Sequence, residues 1–356
     1  MATTIDTVFN DLVLTSDLDL IEASTDADSA IVQAYLMVTT GGTVHPVPLL
    51  STTLYAFSGK VELKNLGSLV EALMRRRGIS SAHVTLNIGG ASKILNVLYC
   101  EYEMPDDFDP QTCFLTTSPV RRVHENSSVP LSFLSDGTVP LTIKIVGHRA
   151  DGSLASLEKT VNTEPSGYSW LYVADIIDYA TKAAQPLAEV SYFGVYHGQK
   201  RYVFFIVRHP FYLRFKFRNI FNALEYIDLP CTFTSKTSVD RDIAVCSGTY
   251  TQYNQQPNRT FEVQSGALPS REALIVDQLF NSREVYIVVG AEEKEYKIVI
   301  NDHTCEVTND NESLVDIKFS WQFSSWRPRL SDASLSAFMP VAKWGIFDDH
   351  FTREYL

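Results

Sequence analysis

The feature that most constrains the fold of this chain is a stretch of sequence that occurs twice, first at residues 34–97 and again at residues 141–207. Each copy has an apolar strand pattern, a glycine turn, a second strand and a third strand that ends at a small polar residue. Gly42 precedes Asn65 by 23 residues, and Gly152 precedes Asp175 by the same 23 residues. A unit repeated at constant spacing usually indicates duplication, so we predict two domains of one plan.

Hydrophobic periodicity predicts the elements of each copy. In the first copy, strands are expected at 31–39, 44–54 and 60–63, a helix at 68–77, and a hairpin at 82–88 and 93–99. In the second copy, strands are expected at 139–146, 154–161 and 170–173, a helix at 176–184, and a hairpin at 190–196 and 201–207. Pro46 and Pro48 predict an edge strand, because proline cannot donate to a neighbouring strand. Asn65 and Asp175 are expected to cap the two helices.

The region after Pro210 has a different spacing and does not count as a third copy. Leu213, Phe215 and Phe217 alternate with basic residues, which is typical of a half-exposed strand. Further strands are expected at 232–238, 244–250, 259–264, 284–289, 296–300 and 315–323, with a turn at 255–258. A helix is expected to begin at Ser270 and to bury Ala273, Val276, Leu279 and Phe280.

These patterns predict a mainly β protein, and the 12% of aromatic residues favours strands over helices. The expected order is two duplicated β-sandwich-like domains, each with a short helix, then an α+β domain and a C-terminal arm. The predicted segments are an N-terminal arm at 1–30, domain 1 at 31–103, a linker at 104–112, domain 2 at 113–209, the α+β domain at 210–330 and the C-terminal arm at 331–356.

The C-terminal arm is rich in apolar residues but has no regular period. A segment of this composition needs apolar cover. It either packs on its own domain or docks on a neighbouring subunit. In the second case the residues expected to contact the neighbour are Phe338, Met339, Trp344, Phe347, Phe351 and Tyr355.

Charge and cysteine usage exclude several classes of function. The net charge of −12 argues against nucleic-acid binding, which needs a positive surface. The five cysteines contain no C-x-x-C, so neither a disulfide scaffold nor a zinc site is expected, although Cys231 and Cys246 could face each other. No signal peptide and no apolar run of membrane-spanning length is recognised, and we expect synthesis in the cytoplasm.

No catalytic, cofactor-binding or metal-binding motif stands out, so no residue is assigned to such a site. The basic run Arg75–Arg76–Arg77 is expected to stabilise the end of a helix, and contact with an acidic partner is the alternative. The aromatic residues of the second hairpin are expected in a core or a subunit contact, and stacking on sugars is the alternative. They are Tyr192, Phe193, Tyr196, Tyr202 and Phe204.

The third region resembles uncharacterised β-rich proteins of phages and prophages. The resemblance covers about residues 210–330, from Phe215-Lys216-Phe217-Arg218-Asn219 through Ser238-Val239-Asp240-Arg241 and Phe261-Glu262-Val263 to Ile317-Lys318-Phe319-Ser320-Trp321. Related proteins are similar to tail or virion structural components.

The resemblance implies a structural, non-enzymatic subunit of a tail, connector or baseplate that assembles in the host cytoplasm and ends in the virion. Its expected partners are copies of itself in a ring or tube and other virion proteins, without direct nucleic-acid binding or a membrane segment. The alternative is a carbohydrate- or surface-binding β-sandwich module, and an enzyme is a third hypothesis.

Overall fold

Alternating apolar residues and glycine turns produce a mainly β chain, as predicted, with several multi-stranded sheets. The structure is a computed structural model that describes residues 2–40, 43–102, 104, 114–116, 118–134, 138–163, 168–208, 212–289, 293–304 and 314–325. These residues form two compact units. One unit contains the described residues of 1–116 together with Ser132–Leu134 and Arg218–Leu224. The other contains the described residues of 117–131, 135–217 and 225–325.

The first unit is built on a sheet in the order β2-β8-β7-β4-β5 and a smaller sheet in the order β1-β3-β6. Its elements are β1 (Thr3–Ile5), β2 (Val13–Leu14), a 3-10 turn (Thr15–Leu18), β3 (Leu20–Thr25), β4 (Ser29–Thr40), β5 (Thr43–Tyr55), β6 (Lys60–Lys64), α1 (Leu66–Arg77), β7 (Ser81–Ile88) and β8 (Ala91–Leu98). Three strands therefore lie within the predicted N-terminal arm, and β5 is an edge strand, as its prolines predicted.

The second unit has sheets in the orders β12-β11-β14-β15-β9, β10-β13 and β17-β16-β20-β21-β22-β19-β18. Its first elements are β9 (Val120–His124), β10 (Ser128–Ser132), β11 (Pro140–His148), β12 (Leu154–Asn162), β13 (Tyr168–Tyr172), α2 (Val173–Lys182), β14 (Glu189–His197) and β15 (Lys200–Val207). The others are β16 (Tyr212–Arg218), β17 (Leu224–Pro230), β18 (Thr232–Cys246), β19 (Thr249–Pro269), α3 (Ser270–Asn281), β20 (Val285–Val289), β21 (Lys294–Thr304) and β22 (Leu314–Phe323).

Each repeated stretch supplies four strands of a five-stranded sheet, and the two sheets have the same topology. In the first unit β2 lies parallel to β8, with Val13 opposite Val97. In the second unit β9 lies parallel to β15, with Val120 opposite Val203. In both sheets the strand beside this parallel strand belongs to a hairpin, β7–β8 in the first unit and β14–β15 in the second. A second hairpin, β4–β5 or β11–β12, completes the sheet, and its outer strand forms the opposite edge. The predicted domain boundaries remain predictions, since the second unit contains residues from both sides of residue 209.

The apolar face of each sheet forms the core that the sequence patterns indicated. In the first unit Val32, Leu36, Val84 and Leu86 are fully buried together with Val70 of α1. In the second unit α3 buries Ala273, Val276 and Leu279, as predicted, against strands of the seven-stranded sheet.

Three local predictions differ from the structure. Asp175 is not the cap of α2, because the helix begins at Val173 and places Asp175 in its first turn, where a carboxylate favours the helix dipole. Asn65 lies at the cap of α1 but makes no side-chain capping hydrogen bond. The turn expected at 255–258 lies within β19.

The end of α1 is held by a turn from later in the chain that belongs to the first unit. Gly78 adopts a left-handed φ of 65°, and Ile79 N donates to Met74 O at 3.1 Å, which is a typical helix ending. The side-chain amide of Asn222 donates to Met74 O at 3.1 Å and to Ile79 O at 2.9 Å. Asn222 therefore donates to two carbonyl groups, one buried and one partly buried, where the helix stops.

We expect Asn222→Ala to lower the free energy of unfolding by about 2–4 kcal/mol, because two carbonyls lose a donor. Chemical denaturation measures this loss. Asn222 has a φ of 54°, so Ala also adds backbone strain, whereas Asn222→Gly removes only the hydrogen bonds. Native stability of the Gly variant would contradict the role given to the side chain.

Candidate assembly site

The longest strand pair in the described residues is the hairpin of β18 and β19 in the second unit. It turns at Ser247 and Gly248, whose φ values are 52° and 78°. Two successive residues with positive φ form the type of tight turn that matches the twist of paired strands. The hairpin is paired continuously from Thr232 opposite Gln264 to Cys246 opposite Thr249, apart from one bulge.

The outer part of this hairpin extends beyond the seven-stranded sheet as a two-stranded ribbon. Strand β18 is the last strand of that sheet, and the pairing of β19 with β22 begins at Phe261. We call residues 236–246 and 249–260 the ribbon; these two segments form backbone strand pairs with each other, and no third described strand joins them. At about 3.3 Å per residue, the ribbon is about 36 Å long.

Both faces of the ribbon are exposed, yet one of them is largely apolar. Residues 237–253 are all exposed. Val239, Ile243 and Val245 alternate along β18 and so share a face, and Tyr250 lies opposite Val245. The exposed fractions of these four side chains, which we call the ribbon stripe, are 37%, 60%, 65% and 80% in that order. The opposite face carries Asp240 and Asp242.

This combination is typical of a surface that is covered by another molecule. A two-stranded hairpin alone is marginally stable in water, because it buries few side chains. Period-two alternation of apolar residues indicates a strand with one buried face. An unpaired strand edge beside an apolar stripe is also a ready site for contact with another chain.

The sequence analysis did not find the ribbon. It placed two separate strands at 232–238 and 244–250 and assigned the turn to the Gln-Gln-Pro-Asn run that ends at Asn258. The useful signal was the Ser247-Gly248 dipeptide, a common turn pair. Alternation at Val239, Ile243 and Val245 on one side of that pair was a further indication.

The predicted C-terminal arm, linker and basic run can each be compared with the described residues. The proposed contact residues of the C-terminal arm lie outside the described residues, and the linker at 104–112 is described only at Met104. Arg75 lies in the last turn of α1, where it donates to Tyr99 Oη at 2.9 Å and pairs with Glu101 at 2.9 Å.

The aromatic residues of the β14–β15 hairpin divide between its two faces. Phe193, Tyr202 and Phe204 are buried, with exposed fractions of 0%, 2% and 0%. Buried rings cannot stack on a sugar, so these three residues offer no support to a carbohydrate site.

Cys231 and Cys246 are both free thiols and form no disulfide with each other. Cys231 is buried, and burial raises the pKa of its thiol to about 12. The thiol of Cys231 is therefore protonated and unreactive near neutral pH.

The second unit also contains a buried group of charged side chains. Arg121 of β9 pairs with Glu225 of β17 at 2.6 Å, and both side chains are at most 6% exposed. Arg121 also donates to Tyr226 O at 2.9 Å and stacks over the ring of Tyr202 at 4.9 Å. The pair thus connects the five-stranded sheet of this unit to the outer strand of its seven-stranded sheet.

A second arginine and a second carboxylate extend this group. Arg214 of β16 lies 3.6 Å from Asp228 and donates to Ser128 Oγ at 2.9 Å. Asp228 in turn accepts a hydrogen bond from His124 N at 3.0 Å. Arg121 Nη2, Arg214 Nε and Asp228 Oδ1 are buried without a hydrogen-bond partner. Incomplete pairing of this kind makes the cluster sensitive to the loss of any member.

Electrostatics keep the buried arginine charged. Burial alone lowers the pKa of Arg121, but the carboxylate of Glu225 together with Tyr202 and Asp228 raises it above its ordinary value. Removing Glu225 would leave a guanidinium in a site shielded from water, which is costly.

We expect Glu225→Gln to lower the free energy of unfolding by about 3–5 kcal/mol, because it leaves Arg121 uncompensated. Denaturant unfolding gives the value. The double variant Arg121→Met, Glu225→Leu should recover most of the loss, since paired apolar residues remove both charges. Asp178→Asn is the matched control: its partner Lys182 is exposed, and the loss should be about 0.5 kcal/mol or less. Equal losses in the single and double variants would contradict this account.

Beside the base of the ribbon lies an open groove of about 360 Å³. It is lined by Thr232, Thr234, Glu262, Val263, Gln264, His303, Lys318, Phe319 and Ser320. In the part of the chain that the structure describes, no group of three or more His, Cys, Asp or Glu side chains is placed to hold a metal ion. No described helix is both long and apolar enough to span a membrane.

Comparisons with known proteins give little guidance on function. No family model and no curated protein matches the chain. Among solved structures, the crystal structure of squid arrestin is similar over 53% of this chain and 88% of the arrestin chain, with 10% identity and a TM-score of 0.16.

Proposed function

We propose that this chain is a structural, non-enzymatic subunit of a phage or prophage particle, in a tail, connector or baseplate. It acts through protein–protein interfaces, and its β-ribbon joins it to neighbouring subunits. The single observation that carries the proposal is the ribbon, whose apolar stripe is exposed over residues that pair only with each other among those described. The phage context comes from the sequence resemblance of residues 210–330.

The size of the stripe is consistent with a major contact. Burial of a large apolar side chain contributes about 1.5–3 kcal/mol, so the four stripe residues contribute several kcal/mol before the costs of association. Association itself costs about 4–15 kcal/mol. One stripe contact therefore needs further contact area, such as hydrogen bonding along the ribbon edges, to hold two subunits together.

We expect Ile243→Ser, Val245→Ser, Tyr250→Ser to weaken self-association about a thousandfold or more, because three apolar side chains lose most of their burial energy. Light scattering coupled to size exclusion should show the unmodified chain as an assembly and the triple variant at the monomer mass of 40.0 kDa.

The matched control changes the opposite face of the same strands, as Ala244→Ser, Cys246→Ser, Tyr253→Ser. It should assemble like the unmodified chain. Assembly of the stripe variant at unchanged strength would count against the ribbon as the interface. A monomeric unmodified chain at high concentration would refute self-assembly.

The particle context has its own test. Mass spectrometry of purified phage or prophage particles from the source of this sequence should detect the chain at a fixed ratio to the known virion proteins. Detection of the chain in the host cell but not in intact particles would refute the virion part of the proposal.

A further inference from the structure

The outer face of the five-stranded sheet in the first unit has an unusual composition. Its side chains alternate with those of the buried core, and the register places them in rows across the strands. One row is Pro48, Tyr35, Thr85 and Ile94, and the next is Pro46, Met37, His83 and Asn96. The uncharged face is the name we give to the open part of this surface: Ser29, Ile31, Gln33, Tyr35, Met37, Thr39, Val44, Pro46, Pro48, Ser51, Thr53, Tyr55, Ser81, His83, Thr85, Asn87, Ser92, Ile94 and Asn96. At the end of the surface next to β2, Leu98 lies in the same row as Ser81 but is buried by Ile220 and Phe221 of the same unit.

The uncharged face contains no Asp, Glu, Lys or Arg, although such residues make up 20% of the chain. It also exposes large apolar side chains: Tyr55 is 83% exposed, Ile94 68% and Ile31 62%. Depletion of charge together with exposed aromatic and aliphatic residues is typical of the central part of a protein–protein interface. Single exposed apolar residues are ordinary, but a whole sheet face without charge is not.

The matching sheet of the second unit provides an internal comparison. Its outer face has the same topology but carries Lys144 directly opposite Glu158, and also Glu189 and Arg201. The fold therefore does not require an uncharged outer face. The difference between the two sheets indicates that the face of the first unit has a separate role.

We propose that the uncharged face binds the ribbon stripe of a second copy of this chain. This inference rests on the proposed function and identifies the surface that the ribbon contacts. Both surfaces carry exposed apolar side chains, Ile31, Ile94 and Tyr55 on the face and Ile243, Val245 and Tyr250 on the ribbon. The ribbon supplies an apolar stripe with a single charged residue, Arg241, between Val239 and Ile243.

Charge favours this pairing over other contacts between copies. Two copies with a net charge of −12 each repel one another at most surfaces. The uncharged face has no carboxylate that docking would desolvate. It also has no carboxylate that would repel Asp240 and Asp242, which lie on the ribbon face opposite the stripe. The ribbon can therefore approach this face at the lowest electrostatic cost.

Size and strand chemistry favour docking on the face over addition to the sheet edge. The ribbon is about 36 Å long, and β4 and β5, with 12 and 13 residues, span about 40 Å at about 3.3 Å per residue, so the face is long enough to receive it. The edge strand β5 contains Pro46 and Pro48, which lack the N–H groups that a new strand would need.

A contact between two different surfaces is head-to-tail and can repeat. Such interfaces close into rings or continue as tubes, whereas a surface that pairs with itself stops at a dimer. The proposed pairing therefore predicts a ring or a tube, with one ribbon and one face used per junction.

The test is a complementation experiment. One variant has a disabled ribbon, Ile243→Glu, Val245→Glu, and the other has a disabled face, Ile31→Glu, Ile94→Glu. Each variant alone should be a monomer of 40.0 kDa. A mixture should form a one-to-one heterodimer and stop there, because it offers one working ribbon and one working face. Light scattering and native mass spectrometry distinguish these states.

The matched control places the same charge on the outer face of the other sheet, as Ser156→Glu, Thr160→Glu, and should assemble normally. Normal assembly of the face variant, with loss of assembly only in the ribbon variant, would overturn this inference and leave the proposed function intact. An unmodified chain that does not assemble would overturn both.

A second measurement does not depend on the folding of the face variant. A photoreactive residue at position 245 in the otherwise unmodified chain should crosslink to peptides of residues 29–55 or 81–98 of another copy. Crosslinks confined to other peptides would refute the uncharged face as the docking surface.

Discussion

The pairing of backbone groups between strands is the constraint on which the rest of this structure depends. In a mainly β chain almost every buried N–H and C=O group is satisfied by a strand from elsewhere in the sequence. The two five-stranded sheets satisfy this demand with hairpins and one parallel strand each. The ribbon of β18 and β19 differs from these sheets, because its residues 237–253 are exposed and its outer backbone edges can bind water.

Sequence patterns predicted those parts of the fold that depend on local periodicity and spacing. The mainly β class, the edge strand with Pro46 and Pro48 and the buried face of α3 all follow from residues close together in the chain. The ribbon was missed because Pro257 and its polar neighbours have the composition of a turn, and pairing over 21 residues of β19 overrides that preference. The uncharged face was missed because it exists only once the register aligns β4, β5, β7 and β8.

The buried charges of the second unit serve specificity more than stability. Replacing both Arg121 and Glu225 by apolar residues of similar size should change the free energy of unfolding little, because the desolvation cost of a buried ion pair is about as large as the attraction between its charges. The planar guanidinium of arginine presents its N–H donors in a fixed arrangement, so few alternative positions of the strands would preserve its ion pairs and hydrogen bonds. The cluster of Arg121, Arg214, Glu225 and Asp228 therefore fixes the relative positions of β9, β16 and β17 within the unit. This matters in a β protein, because a register shift of one residue moves every side chain of a strand to the opposite face of its sheet.

The turn at Arg218–Leu224 has a consequence for the order of events during synthesis. It belongs to the first unit, although the strands on either side of it continue into the second. The two hydrogen bonds from Asn222 to Met74 O and Ile79 O form only after Asn222 leaves the ribosome, more than 140 residues after Met74. At a translation rate of about 5–20 residues per second, this is a delay of about 7–30 seconds. The first unit is thus completed only after all of the β11–β15 region has been made, so its last contacts form on a chain that already carries part of the second unit.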